Sequence, residues 1–546
     1  MFKITRITFI LLSIAILSSL AGAEPPRLVV QVTIDGLPTE TLMQHEALVR
    51  PGGLGKFLSE GTVFTGAEYT YLTTFTAVGH ATLFTGAQPF MHGIIGNEWL
   101  DEETGEQIYC VEDSTHQILD FPTKAHEGTS PRNLESSTIG DELVRASGGK
   151  SRVFSVSGKD RGAILPAGKK GKAFWYSKNA ATFVTSDYYY TETPVWLSRW
   201  REDNPVDAYI VKVWDLLRKP GDYLRQDQDD RASEKGLGPV FPHILGLAAP
   251  EKIGDTIRWT PYLDELTLSL SLLLMEKEEV GKKGVTDMVC ISLSSMDFVS
   301  HQYGPDSLEA EDTLYRVDAL IERLLAYLDS HIGLEHVLLV LSADHGFARS
   351  PEQISEEGLP ASRIAVPEME KRLDEIRGEL NRRYGLAPET IRGYLSSCIY
   401  FDRQIIAESG QDLEEIQQAV AEQVAAWPET AWAASCKVLM RESRTGSWFH
   451  NRAAVSLNLS RSGDVVLALK PWVLPETPKI TYPATHGSPY AYDTRVPILF
   501  LGYGISAQQV QRVVSPLDIA ATLAACLSIT PPPACMGQPL AEIVQH

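Results

Sequence analysis

Residues 336–346 read HVLLVLSADHG. Val337 to Leu341 is an unbroken apolar run, and it stops at small residues followed by Asp344, His345 and Gly346. A short β-branched run with no polar alternation suits a parallel strand covered on both faces. Two other stretches have the same form. RLVVQVTIDG (27–36) ends at Asp35, and DMVCISLSSMD (287–297) ends at Asp297. VFSVSG (153–158) and VPILFLGYG (496–504) are further strand candidates. Helical patterns alternate with them, roughly over 309–330 and 515–528. The expected fold class is therefore α/β, a mainly parallel central sheet flanked by helices.

In such sheets ligands bind beyond the carboxyl ends of the strands. Any one of the aspartates could simply cap the following helix. Three at three strand ends, two with a histidine nearby, point instead to one shared site. Residues 170–262, rich in aromatics and proline, and 350–478, with an amphipathic helical stretch around 367–384, read as insertions that cap those strand ends.

The chain has 546 residues, 44% apolar and 22% charged, a globular composition large enough for one big domain with insertions. Residues 1–23 carry Lys3 and Arg6, an apolar run from Ile7 to Leu20, and the small-x-small triplet Ala21-Gly22-Ala23. That pattern is expected to be a secretory signal peptide, with 24–546 as the mature chain in the periplasm or outside the cell. Its loss moves the formal net charge from −21 to −23. An acidic surface argues against a nucleic-acid partner, and an anionic substrate would need a locally positive site. After cleavage no membrane span is expected. Six cysteines fit an oxidising compartment. Cys526 and Cys535 are close enough in sequence to pair, whereas Cys290, inside an apolar strand pattern, suits a buried thiol equally well. Oligomeric state is left open.

Asp297 and His301, four apart, share one face of a helical turn, an arrangement that suits two ligands on one cation. Asp344 and His345 are adjacent, but both can face a site at a strand-to-loop turn that Gly346 permits. Asp35 precedes Gly36 in the same way. His486 lies in the loop THGSPY. Three carboxylates and three imidazoles favour zinc or a similar transition metal. They divide naturally into two sites of three ligands, each with an open position.

The stretch TYLTTFTAVGHATLFTG (70–86) carries several hydroxyls. A threonine is too weakly acidic to attack phosphorus unaided, and metal coordination together with a helix N-terminus would activate one. TAVGHATLFTG reads as a helix start with Thr76 at or near the N-cap. Thr76 is therefore preferred to Thr73 and Thr74.

The pattern T-x-x-x-H-x-x-x-x-x-G at Thr76, His80 and Gly86, the stretch HGIIGN, and the order D…D-x-x-x-H…D-H…H resemble the alkaline phosphatase superfamily. Within it the resemblance is to the nucleotide pyrophosphatase/phosphodiesterase-like branch. It covers about 27–165, 287–346 and 480–530. Asn97 and the K-x-R pair in SGKDRGAI, Lys159 and Arg161, narrow it to the phosphate-irrepressible (PafA-type) alkaline phosphatases. The resemblance implies an alkaline-phosphatase-like core and two zinc ions per chain. One zinc would be held by Asp297, His301 and His486, the other by Asp35, Asp344 and His345, with Thr76 as nucleophile and metal ligand. A phosphothreonine intermediate would form. Lys159, Arg161 and Asn97 would bind the phosphoryl group of a small phosphate monoester. Lys159 and Arg161, two apart after a strand, are expected to point to the same side. A diester lacks the extra charge that a lysine and an arginine recognise.

The rival readings are a phosphodiesterase or nucleotide pyrophosphatase with the same two-zinc site, and a secreted metal- or phosphate-binding protein without turnover. The sulfatase pattern C-x-[AP]-x-R is absent around all six cysteines.

Overall fold

The computed structural model describes residues 24–247, 249–441, 446–476 and 482–544. The expected signal peptide lies outside them. The strand-forming runs build one sheet. Its strands, in chain order, are β1 (Leu28–Ile34), β2 (Thr62–Phe64), then β5 (Val153–Ser157), β6 (Lys172–Ser177), β7 (Thr182–Val184), β8 (Asp287–Leu293), β9 (Val337–Ser342), β14 (Ile498–Gly502) and β15 (Gln508–Val510). The small hairpin β3 (Glu98–Leu100) and β4 (Gln107–Tyr109) stands apart from it. The sheet order is β15-β2-β14-β9-β1-β8-β5-β6-β7. The centre is parallel: β1 pairs with β8 and β9, β8 with β5, and β5 with β6. β14 and β7 run antiparallel to their inner neighbours. All seven residues of β1 are buried, as are all seven of β8, which is why the alternation of a half-exposed strand is absent from both.

Helices α1 (Thr76–Thr85), α2 (Asp160–Ala167), α3 (Tyr262–Lys277), α4 (Ser295–Tyr303) and α5 (Leu308–His331) flank the sheet. On one face Val30, Val32 and Ile34 join residues of α3 and α5, including Leu266, Leu274, Leu314 and Leu325. On the other, Val29, Met288, Cys290 and Val340 pack with Leu83 and Phe84 of α1 and with Ile519 and Leu523. Burying each such side chain contributes about 1.5–3 kcal/mol, so the sandwich rather than local propensity holds the strand ends in place.

The segment expected as an insertion from residue 170 begins inside the core. Lys172–Ser177 and Thr182–Val184 are the last two strands of the main sheet. Their aromatics, Phe174, Trp175, Tyr176 and Phe183, are buried rather than displayed; large flat side chains fill the space beside an edge strand as readily as they line a cap. The second segment adds a further layer, one side of which, at Cys398, Tyr400, Val466 and Ala468, packs with Leu72, Ala77 and Trp99. It holds helix α6 (Val366–Tyr384) and a four-stranded sheet of β10 (Ile391–Leu395), β11 (Cys398–Phe401), β12 (Thr430–Ser435) and β13 (Val465–Leu469), with its own core around Leu373, Ile399, Val420 and Val465.

All six cysteines are free thiols. Cys526 and Cys535 do not pair: Cys535 packs under the turn after α1, where a Cβ built on Gly86 would come within 2.4 Å of its Sγ. Nearness in sequence does not align two Cβ atoms. Cys290 is buried in β8, as the strand pattern implies. Among the described residues no helix is long and apolar enough to cross a membrane.

Candidate metal centre and nucleophile

β1, β8 and β9 end side by side, so Asp35, Asp297 and Asp344 emerge at one edge of the sheet, all buried. Two glycines make the crowding tolerable. Gly36 has φ +74°, and its N–H donates to Asp344 Oδ1 at 3.2 Å. A Cβ on Gly346 would stand 2.2 Å from the carbonyl oxygen of Tyr492, so its role is close approach rather than an unusual backbone angle.

Asp297 and His301 lie on α4. That helix is capped from α3: the Asp264 carboxylate accepts from the backbone N–H of Ser294 at 2.7 Å and of Ser295 at 3.1 Å. The loop carrying His486 is tied by Asp493, which accepts from Gly487 N (3.1 Å), Ser488 N (2.8 Å) and Ser488 Oγ (2.6 Å).

The three histidines are oriented alike. Nδ1 of His301 is 3.0 Å from the Ala484 carbonyl oxygen, Nδ1 of His345 is 2.8 Å from that of Gly346, and Nδ1 of His486 is 2.7 Å from that of Thr74. A carbonyl oxygen only accepts, so each Nδ1 carries the proton and each Nε2 presents a lone pair. Those lone pairs face carboxylates. His486 and His301 Nε2 lie 3.3 and 3.4 Å from Asp297 Oδ1. His345 Nε2 lies 3.4 Å from Asp35 Oδ1 and 3.5 Å from Asp344 Oδ2. These three buried oxygens have no hydrogen-bond partner.

Burial lowers the pKa of His345 to about 3; burial, then the neighbouring His345, does the same for His486, so both stay neutral. Acceptor facing acceptor in a dry site is costly. A cation between them resolves it, and the donor set of three imidazole nitrogens and three carboxylates suits a transition metal.

Among the described residues the groups of potential ligand atoms are Asp297 with His301 and His486, Asp35 with Asp297 and His345, and Asp35 with His80 and Asp344. The first is the trio expected from the sequence. Around the second position Asp297 takes part as well, and His80 approaches from behind. His80 Nε2 is 3.6 Å from Asp344 Oδ2 and 3.4 Å from Ser292 Oγ. In the sequence His80 stands only as part of the T-x-x-x-H pattern. Its spacing of four from Thr76 on one helix was the available signal that the two share a face.

Thr76 is the first residue of α1, and its Oγ1 is 3.4 Å from both His345 Nε2 and Lys159 Nζ. The neighbouring hydroxyls are used elsewhere: Thr73 donates to the Ile95 carbonyl at 3.3 Å and Thr74 to that of Ser488 at 2.8 Å.

Lys159 and Arg161 do not extend a strand to one side. Lys159 is the N-cap of α2, and Arg161 lies in its first turn, where the chain has turned from strand to helix and rotated the two side chains apart. The Lys159 ammonium lies 2.6 Å from Asp35 Oδ2 and 2.5 Å from Asp297 Oδ2. Although burial opposes ionisation, the Lys159 ammonium holds Asp297 well below the usual carboxylate range. Burial, then Asp344, raises the pKa of Asp35, and burial raises that of Asp344 to about 6. Arg161 instead lines a cavity of about 750 Å³ shared with Asn97, Tyr109 and His486. Its Nη1 donates to Tyr109 Oη at 3.3 Å, and Tyr109 donates to Asp160. Asn97 Oδ1 accepts the Ala77 N–H at the start of α1 (3.0 Å), which leaves its amide NH₂ as a donor at the cavity.

Comparison with known proteins follows the same lines. Residues 29–489 match the family described as type I phosphodiesterase / nucleotide pyrophosphatase. The chain is 31% identical to the alkaline phosphatase PafA of Elizabethkingia meningoseptica, covering 98% of each chain. It is 31% identical to the alkaline phosphatase PhoV of Synechococcus elongatus, covering 95% of this chain and 93% of that one. The crystal structure of wild-type PafA superposes with a TM-score of 0.88 at 30% identity, over 96% of this chain and 100% of that one. A solved PafA variant alters a threonine, an asparagine, a lysine and an arginine, spaced successively by 21, 62 and 2 positions. Thr76, Asn97, Lys159 and Arg161 have the same identities and spacings. The chain belongs to the type I phosphodiesterase / nucleotide pyrophosphatase family.

Proposed function

We propose that the chain is an alkaline phosphatase that hydrolyses phosphate monoesters, with Thr76 as nucleophile. The observation that carries the reading is the set of three imidazole Nε2 atoms opposed to three unpartnered carboxylate oxygens, with the Thr76 hydroxyl 3.4 Å from one of them, His345 Nε2. Asp297, His301 and His486 would hold one zinc ion, beside the leaving oxygen; Asp35, Asp344 and His345 would hold a second, beside Thr76. Bound zinc supplies Lewis acidity and lowers the pKa of an oxygen ligand.

The chain's own groups do the rest. Thr76 stands at a helix N-terminus, where free N–H groups favour an anionic oxygen. Lys159 donates toward the same oxygen as the hydroxyl proton passes to solvent. The Oγ1–phosphorus bond forms as the ester P–O bond breaks, and the leaving alkoxide takes a proton from water. A second water then adds to phosphorus as the Oγ1–phosphorus bond breaks, which frees phosphate and returns a proton to Thr76. Arg161 and the Asn97 amide supply donors to the non-bridging oxygens, where charge concentrates in the transferring group. The relatives named as alkaline phosphatases support monoesters over diesters, as does a half-buried guanidinium lining the cavity. The N-terminal pattern supports export to the periplasm or beyond.

The cavity volume favours one second reading, a phosphodiesterase, because a second ester group would have room. The test compares kcat/KM for p-nitrophenyl phosphate and bis-p-nitrophenyl phosphate on zinc-loaded protein, before and after chelation. Higher kcat/KM for the monoester, lost on chelation and restored by zinc, is expected. A preference for the diester would overturn the monoesterase reading.

A further inference from the structure

The cavity at Arg161 is about 750 Å³, a volume typical of sites for whole small molecules rather than for a phosphoryl group alone. Of the six candidate metal ligands only His486 lines it. His486 belongs to the trio placed beside the leaving oxygen, so the alcohol part of the ester extends into this space.

Beyond His486 the walls are largely apolar. Tyr394 and Leu395 of β10 and Leu469 of β13 come from the four-stranded sheet; Phe75 and Tyr492 come from the core. The Phe75 ring stands edge-on to the His486 imidazole, with centroids 6.3 Å apart and planes at 66°.

These walls are fixed before any ligand arrives. Ser396 and Ser397 turn β10 into β11 with φ of 50° and 64°. Ser396 Oγ donates to the Glu98 carbonyl at 2.8 Å, and Arg392 Nη1 donates to the carbonyls of Asp101 and Glu102 at 3.1 and 2.8 Å. Tyr490 Oη donates to the Leu469 carbonyl at 2.8 Å. The wall strands are thus latched to the hairpin that follows Asn97 and to the loop that follows His486. The cations on this side are engaged: Arg392 also meets Asp402 at 3.1 Å, and Lys470 Nζ donates to the Pro428 carbonyl at 2.6 Å. A second phosphate has no free partner among them. A flat apolar group has a rigid wall to bury against, with little ordering cost.

We propose that this chamber is a leaving-group subsite, which selects monoesters of aromatic and arylalkyl alcohols over those of small alcohols. The inference rests on the monoesterase reading of the site. The experiment compares kcat/KM for 2-phenylethyl phosphate and ethyl phosphate on zinc-loaded protein. Both leaving groups are primary alkoxides of similar basicity, so the ratio reports contact rather than intrinsic reactivity.

A preference of about ten-fold or more for the phenylethyl ester is expected. Tyr394→Ala and Leu395→Ala should each lower that ratio by about three-fold or more. A native ratio near one, with ethyl phosphate turned over, overturns the subsite alone. Variants that lower both esters equally overturn it as well. Failure of the native enzyme to turn over either ester overturns the monoesterase reading and the subsite with it.

Discussion

Arg161→Ala separates monoester from diester chemistry. The guanidinium lines the cavity with its side chain 20% exposed, and its Nε is buried without a partner. Its Nη1 donates to Tyr109 Oη at 3.3 Å and stands 3.9 Å from Asp160 Oδ1. At about 4 Å and an effective dielectric constant near 20, each unit of opposite charge is worth about 4 kcal/mol. A monoester at alkaline pH carries about two negative charges on the transferring group, and a diester carries about one.

Water entering the shortened site and the nearby Lys159 absorb part of the difference. The loss is then about 4 kcal/mol for the monoester, or roughly 10³-fold in kcat/KM, and about 1.5–2 kcal/mol for the diester, or roughly 10- to 30-fold. The assay is initial-rate kinetics on zinc-loaded native and variant protein with p-nitrophenyl phosphate and bis-p-nitrophenyl phosphate. Arg161→Lys should recover only part of the loss, because an ammonium cannot make the planar two-point contact. Equal fold-losses for the two substrates would refute the reasoning, since Arg161 would then recognise nothing that a diester lacks.

Thr76→Ala should abolish steady-state turnover while the protein still binds zinc, and Thr76→Ser should retain measurable activity; metal analysis and kinetics on the same samples check both. His80→Ala removes a group 3.6 Å from Asp344 Oδ2 and should weaken zinc retention by about 10- to 100-fold, read by competition with a chromogenic chelator. Glu309 is fully buried against His243, and burial raises its pKa to about 8 from 4.5. The folded chain therefore holds a proton there that the unfolded chain releases, and stability falls as pH climbs from about 4.5 to about 8. Glu309→Gln should gain on the order of 2–5 kcal/mol over native at pH 9 and little at pH 4.5, measured by urea unfolding at each pH.

The candidate ligand set is legible because its signal is local. A buried parallel strand is a run of β-branched residues, and the sheet gathers the carboxyl ends of such runs. Asp35, Asp297 and Asp344 could therefore be placed together before any contact was known. His301 followed from the helical period. His486 had only a loop and a family order to mark it; what fixes it is Asp493, several residues downstream.

The features that sequence did not yield depend on contacts between distant segments. Cys535 is directed toward Gly86 rather than Cys526 by packing that no spacing encodes. Lys159 and Arg161 diverge because the strand ends just before them and a helix starts. The aromatics of β6 and β7 resemble cap composition, and only pairing with β5 shows that they belong to the main sheet. The latch from Ser396 and Arg392 onto the Asn97 hairpin joins residues about 300 positions apart.

X-ray diffraction recorded on either side of the zinc absorption edge, from crystals grown with zinc, addresses the central claim most directly. Two anomalous peaks should appear beside Thr76 Oγ1, one bounded by Asp297, His301 and His486 and the other by Asp35, Asp344 and His345. No peak at these side chains, or a peak held by other residues, would contradict it.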